Sequence, residues 1–101
     1  MRVLLFFDLP VETETQRRNY RLFRKHLIKD GFIMLQNSVY AKMALNSSAA
    51  KMIRDRVDRV KPPVGIIQIL IVTENQFASM EYILGQSDTT IVNSTDRLIS
   101  L

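Results

Sequence analysis

An aspartate ends the first apolar run of the chain, where a carboxylate could take part in metal chemistry. Residues 2–8 are apolar apart from Arg2 and Asp8, and Leu9-Pro10 follows. A run of this length before a proline predicts a buried strand that ends in a turn. Asp8 alone is a poor Mg²⁺ site, whereas two copies related by a dimer axis could hold an ion that polarises a phosphate or activates water. The alternative is a turn cap, in which Asp8 binds backbone N–H groups.

A cluster of basic residues follows. Six of them lie within 13 positions, with no acidic residue before Asp30: Arg17, Arg18, Arg21, Arg24, Lys25 and Lys29. Like charges four residues apart repel on a helix, so surface ion pairs do not stabilise such a helix. Arginine suits two-pronged contact with phosphate. We predict contacts to a nucleic-acid backbone, without sequence preference, from Arg17, Arg18, Arg21, Arg24 and Lys25. A solvated helix surface is the alternative.

The basic residues of the whole chain are also concentrated in its first half. The net charge is +4, but residues 1–61 hold 13 of the 14 basic and 6 of the 10 acidic residues, giving +7. Residues 62–101 carry a net charge of −3. This asymmetry favours a polyanion as the partner of the first half. A second basic group, in residues 51–61, is interleaved with Asp55 and Asp58 and is the weaker candidate.

The composition excludes several classes of site. The chain has no cysteine, which excludes a disulfide scaffold, an iron–sulfur cluster and a zinc-finger site. His26 is the single histidine, which excludes a His-rich metal centre and leaves little room for a Ser–His–Asp triad. No apolar run approaches the length of a membrane span, and the first residues do not resemble a signal peptide. We therefore expect a cytoplasmic protein.

The elements that must position these residues begin with a strand and a helix. Thr13 and Gln16 form a capping-box pattern at the start of the helix, and Asp30-Gly31 ends it after Lys29. Residues 32–45 then predict two paired strands. Polar Gln36-Asn37-Ser38 makes the tight turn between them, and one bent strand is the alternative.

The second half adds another helix and another strand. The second helix begins after Asn46 and ends before Pro62-Pro63, and residues 64–72 are the most apolar strand. Residues 73–76 repeat the capping-box pattern before a short third helix, which Gly85 ends. Residues 91–101 alternate weakly and predict a last strand.

This order predicts an α+β fold, a ferredoxin-like βαββαβ sandwich with an extra short helix and a C-terminal strand. We expect one domain over residues 1–101, with the core and third helix in 1–85 and a C-terminal partner strand in 86–101. Both long helices cover one face of the sheet. Because the strands are apolar at consecutive positions, the other face needs a cover too. We therefore infer a homodimer that buries sheet against sheet.

Short motifs follow one another along nearly the whole chain. They are Phe7-Asp8-Leu9-Pro10, the Arg-rich helix, Gly31-Phe32-Ile33-Met34, Gln36-Asn37-Ser38-Val39-Tyr40 and Thr73-Glu74-Asn75-Gln76-Phe77. In order and spacing they resemble the CRISPR-associated Cas2 family. The variants of type II-A CRISPR systems, which carry the extra helix and last strand, are the most similar.

The resemblance implies a homodimeric scaffold of CRISPR spacer acquisition, which holds duplex DNA between two dimers of the larger CRISPR integrase. It implies that the last strand adds to the partner's sheet. Partner-binding residues are then expected among the apolar side chains of that strand: Ile91, Val92, Leu98, Ile99 and Leu101.

The resemblance also implies a rival activity. Some members have been assigned a nuclease activity on RNA or DNA at the aspartate matching Asp8, with Mg²⁺ or Mn²⁺ as cofactor. Without the resemblance, a small regulatory module that binds a metabolite at a dimer interface is a third hypothesis. The basic first helix argues against that module, because small-ligand sites are mostly apolar.

Overall fold

The computed structural model describes residues 1–86, which form four strands and three helices. The elements are β1 (Arg2–Asp8), α1 (Glu14–Lys29), β2 (Ile33–Gln36), β3 (Val39–Met43), α2 (Ser47–Arg59), β4 (Ile66–Val72) and α3 (Glu74–Ala78). The strands make one antiparallel sheet in the order β2-β3-β1-β4. The ferredoxin-like α+β prediction is confirmed. None of the helices in this part of the chain has the length and apolar character needed to cross a membrane.

β1 is the centre of the sheet and supplies the middle of the core. Successive side chains of a strand point to opposite faces, so Val3, Leu5 and Phe7 share one face. All three are buried against α1 and α2. The residues that they meet from the other elements include Phe23, Leu27, Tyr40, Ala50, Ile53 and Val57. From α1, the buried Phe23 and Leu27, with Tyr20 partly buried beside them, therefore form the side of the helix that faces the sheet.

The other face of the sheet is apolar and mostly uncovered in a single chain. Residues paired directly across an antiparallel sheet share a face, so Met43, Ile66 and Leu70 lie on the face of Leu4 and Asp8. Met43, Ile66 and Leu70 are 55%, 58% and 54% exposed. This is the face for which the sequence predicted a cover.

Local signals set the helix ends as expected. At the start of α1, the Thr13 hydroxyl accepts from the Gln16 N–H, and the Gln16 side chain accepts from the Thr13 N–H. Thr73 and Gln76 make the same reciprocal pair at α3. At the end of α1, Gly31 takes a φ of 97°, a left-handed conformation that favours glycine. Both capping-box predictions are confirmed.

The β2–β3 connection is a hairpin, as the polar tripeptide predicted, and not one bent strand. Met34 pairs with Tyr40, and an irregularity follows because Gln36 then pairs with Val39. The carbonyl of Ser38 accepts a hydrogen bond from the Phe7 N–H at 3.0 Å, which joins the turn to β1.

The predicted extent of the third helix was wrong. α3 ends at Ala78, and its C-cap Ser79 donates its hydroxyl to the Gln76 carbonyl at 2.7 Å. Ile83 and Leu84, which the prediction included in the helix that Gly85 ends, are 93% and 92% exposed. The described chain offers them no surface to pack against, so periodicity alone did not extend the helix. The predicted strand at 91–101 lies outside the described residues.

An ion pair fastens α3 to β1. The Arg2 Nε donates to both carboxylate oxygens of Glu74, at 3.1 and 2.9 Å, and the Arg2 guanidinium lies 4.5 Å from the ring centroid of Phe77. The N-terminal ammonium of Met1 is 3.6 Å from the same carboxylate. The hydrogen bond from Arg2 lowers the pKa of Glu74.

Acid should loosen α3 before it unfolds the core. The folded-state pKa of Glu74 lies below its unfolded value. The ion pair therefore stabilises the docked α3 fully at pH values above the unfolded pKa, and this stabilisation is lost as the pH falls through the folded pKa. We expect the hydrogen-exchange protection of the Phe77 amide to fall in that acidic range, while the Leu5 amide stays protected. In a Glu74→Gln control, Phe77 should be less protected already at neutral pH. If the protection of the Phe77 amide depended on pH equally in both proteins, the Arg2–Glu74 ion pair would not be what holds α3 on β1.

Candidate functional site

Asp8 is exposed at the last position of β1, on the face of the sheet opposite α1 and α2. It pairs with Ile66 of β4. Within residues 1–86 its carboxylate accepts no hydrogen bond and makes no ion pair. The alternative interpretation of Asp8 as a turn cap therefore has no hydrogen bond to support it.

The donors around Asp8 fit a metal ion only in part. No group of three or more His, Cys, Asp or Glu side chains is close enough to hold a metal ion among the residues that the structure describes. Mg²⁺ usually keeps several waters and takes one or two carboxylates together with substrate phosphates. One chain supplies one such carboxylate, which suits that mode of binding but does not complete a site.

A glycine that the sequence did not single out shapes the end of β1. Gly65 takes a φ of 122°, and a Cβ there would lie 2.9 Å from the Asp8 carbonyl oxygen and 2.6 Å from Leu9 Cδ2. Only glycine allows β4 to approach the Asp8 backbone this closely. The signal for it was present, because Gly65 is the one glycine within the most apolar run, residues 64–72, and follows Pro62-Pro63 closely.

The predicted DNA-binding residues all lie exposed on α1, but their charges are not equally available. Arg17 Nη2 is 3.1 Å from a Glu14 carboxylate oxygen, and its Nη1 donates to the carbonyls of Val11 and Glu12 at 3.2 and 3.1 Å. This arginine is therefore held at the start of the helix. The other predicted residues make no ion pair within residues 1–86: Arg18, Arg21, Arg24 and Lys25.

An open groove of about 820 Å³ runs beside α1 at the β2–β3 turn. Four cations line it, together with one amide, one tyrosine and one isoleucine: Arg21, Arg24, Lys25, Lys29, Asn37, Tyr20 and Ile28. A concave surface lined by one sign of charge concentrates its field and favours anions. Asn37 was predicted only as a turn residue, because its approach to α1 is a long-range contact that the sequence does not reveal.

The second basic group is largely neutralised, as its interleaved acids predicted. Arg54 pairs with Asp55 at 3.0 Å, Arg56 with Asp30 at 3.0 Å, and Lys61 with Asp58 at 2.7 Å. The hydrogen bond from Lys61 lowers the pKa of Asp58. Lys51 and Arg59 are the exposed cations of α2 that make no ion pair in the described part of the chain.

Comparison with known proteins identifies the family of this chain. The sequence model of the family described as CRISPR associated protein Cas2 matches residues 1–80. A protein of Treponema denticola named CRISPR-associated endoribonuclease Cas2 is 50% identical over 101 residues, which is the whole of both chains. One of the same name from Lacticaseibacillus rhamnosus is 46% identical over the same full lengths. The chain belongs to the Cas2 family.

The fold agrees with that membership. The crystal structure of Streptococcus pyogenes Cas2 at pH 6.5 matches with a TM-score of 0.63 and 26% identity, over 84% of this chain and 100% of that chain. The family resemblance inferred from the order of the motifs is confirmed. The expected partner-binding residues Ile91, Val92, Leu98, Ile99 and Leu101 lie beyond the described residues and stay a prediction.

Two glycine substitutions test whether Gly65 is required by the backbone of Asp8. Gly65→Ala and Gly85→Ala both place a methyl group at a positive φ, but nothing lies within 4 Å of a Cβ at Gly85. Because crowding in a packed region costs about 1–3 kcal/mol, Gly65→Ala should lower the free energy of unfolding by about that much more than Gly85→Ala. Urea denaturation measures both. Equal losses of unfolding free energy would show that the close approach of Gly65 to Asp8 and Leu9 does not require a glycine.

Proposed function

We propose that this protein is a scaffold subunit of CRISPR spacer acquisition, in which a homodimer binds the backbone of duplex DNA and bridges two dimers of the larger CRISPR integrase. The observation that carries the proposal is the row of unpaired cations in the α1 groove. Arg21, Arg24, Lys25 and Lys29 line one surface, and none has a carboxylate partner within residues 1–86.

Phosphate is the anion that this surface suits best. Like charges on neighbouring turns destabilise a helix, so cations such as Arg21 and Lys25, four residues apart, are not explained by helix stability. Phosphates along a duplex would neutralise them and release counterions, which supplies affinity without reading sequence. The groove is also open enough to follow a nucleic-acid backbone rather than enclose a small molecule.

The uncovered face of the sheet supports the homodimer. Met43, Ile66 and Leu70 are each more than half exposed there, beside Leu4 and Phe6 of β1. An apolar sheet face of this kind needs a second layer, and a second copy of the same face is self-complementary about a two-fold axis. The resulting dimer would carry two α1 grooves on its outer surfaces, because α1 lies on the opposite side of each sheet.

The integrase contact is assigned to the C-terminal part. Ile83 and Leu84 are almost fully exposed, and exposed apolar side chains in a group mark interaction sites. The apolar residues of the predicted strand at 91–101 continue this segment. A strand offered to the edge of another sheet is a common mode of protein recognition.

The groove predicts how duplex binding depends on salt. An Arg21→Ala and Lys25→Ala double variant should bind duplexes of unrelated sequence more weakly and to the same extent. The slope of log affinity against log salt should flatten by about 0.9 for each phosphate that the variant no longer neutralises. Titrations of the full chain with labelled duplexes at several salt concentrations measure both quantities.

A charge-matched control removes two cations from the other helix. Lys51→Ala with Arg59→Ala changes the net charge by the same amount, but both residues lie on α2 outside the groove. This variant should keep the wild-type slope. If both double variants lose affinity equally, binding follows net charge alone and the groove is not the site.

A second candidate function is a metal-dependent endonuclease that acts through paired Asp8 residues. The position of Asp8 favours it, because the carboxylate is exposed, without a partner in residues 1–86, and on the face that the proposed homodimer would bring together. The relatives from T. denticola and L. rhamnosus carry the name endoribonuclease. Two Asp8 carboxylates would hold one Mg²⁺ or Mn²⁺, which would polarise a phosphate or activate water. Asp8 itself would serve only as a ligand.

Asp8→Asn separates the two functions. The isosteric amide removes the charge that a metal requires, so Mg²⁺- or Mn²⁺-dependent cleavage of RNA or DNA should be abolished. Duplex binding, and integration of a short duplex together with the larger integrase, should stay within about twofold of wild type, because Asp8 is on the face opposite the groove. Glu12→Ala, which removes a nearby exposed carboxylate, should change none of these activities. An Asp8→Asn complex that assembles but fails to integrate would contradict the scaffold role.

A further inference from the structure

We propose that Tyr40 is a positioning residue for Arg24, whose guanidinium it holds at the wall of the α1 groove by a hydrogen bond to the tyrosine hydroxyl. The inference rests on the proposed function, since it assigns a role in duplex binding to a residue of the core. Arg24 Nε donates to the Tyr40 hydroxyl oxygen at 2.9 Å, between α1 and β3.

Tyr40 is a rigid support. Its side chain is fully buried in the centre of the core, and its ring stacks on Phe7 with centroids 5.6 Å apart and planes 29° apart. The backbone of Tyr40 pairs with Leu5 in β1 and with Met34 in β2. Sheet pairing on both sides and the stacked ring restrict where the hydroxyl can lie.

The support leaves the binding capacity of Arg24 intact. A guanidinium has five N–H donors, and the bond to Tyr40 uses only the one on Nε. The two terminal nitrogens, which make the two-pronged contact to a phosphate, stay available at the groove that Arg24 lines. A neutral hydroxyl also leaves the positive charge uncompensated.

Arg17 provides the contrast on the same helix. It too is held in place, but by the Glu14 carboxylate, which neutralises its charge, and by two backbone carbonyls. A phosphate would have to displace these partners. Among the arginines of α1 that the structure describes, Arg24 thus combines a fixed orientation with a free charge.

A double-mutant cycle tests the assignment. Tyr40→Phe keeps the ring and removes the hydroxyl, so Arg24 must then be ordered at the moment of binding. We expect the Kd for duplex DNA to rise about three- to tenfold, which corresponds to ordering one long side chain. The salt slope should stay near the wild-type value, since Arg24 still reaches its phosphate. Arg24→Ala should weaken binding and also flatten the slope by about 0.9.

The double variant Tyr40→Phe with Arg24→Ala should bind no more weakly than Arg24→Ala alone, because Tyr40 acts on DNA only through Arg24. Tyr82→Phe, at an exposed tyrosine that does not line the groove, is the matched control and should bind as wild type. Urea unfolding of each full-length variant reports any loss of stability separately from binding.

Three other results would each contradict a different part of the proposal. If Tyr40→Phe weakens binding as much in the Arg24→Ala background as in wild type, Tyr40 supports the fold and not Arg24. If Arg24→Ala binds normally while Arg21→Ala with Lys25→Ala binds weakly, the groove stands and the role of Tyr40 is wrong. If all of these variants bind normally, the proposed function itself fails.

Discussion

The ring of Phe7 is the contact on which both candidate sites depend. It packs edge to face on Phe23 of α1 at 5.4 Å and stacks on Tyr40 of β3 at 5.6 Å. It also precedes Asp8 directly in β1. One side chain of β1 therefore links the basic helix and β3 to the strand that ends in the carboxylate. Aromatic pairs of this geometry stabilise more than their buried area alone would suggest.

The distribution of acids decides which cations are free. On α2, Asp55 and Asp58 pair with neighbouring cations, while Asp30 binds Arg56 and ends α1. The middle of α1 has no acid, so its cations repel one another. The capping box at Thr13, the Lys42 amine on the Asp30 carbonyl and the buried Phe23 and Leu27 stabilise α1 against that repulsion. The stability of α1 thus comes from its ends and its buried face. The cations of its exposed face do not contribute to that stability and are accessible to a ligand.

Local patterns predicted most of the fold, and long-range contacts account for what they missed. The capping boxes, Gly31 and the turn at Asn37-Ser38 act within a few residues, so the sequence contains them completely. The third helix was overextended because apolar spacing does not reveal whether a surface is present to cover Ile83 and Leu84. Likewise, the type and spacing of the cations predicted a basic surface. That Arg17 turns to Glu14 while Arg24 turns to Tyr40 depends on rotamers and tertiary packing.

The alternation of β1 keeps the two proposed activities apart within one small domain. Odd-numbered side chains of β1 pack against α1 and thereby support the groove, whereas Asp8 follows the even-numbered side chains on the opposite face. A ligand of the groove and a ligand of Asp8 therefore approach from opposite sides of the sheet. A homodimer formed through the Asp8 face would leave both grooves accessible to DNA. On the proposed arrangement, binding of a duplex in the groove would therefore not depend on the charge of Asp8.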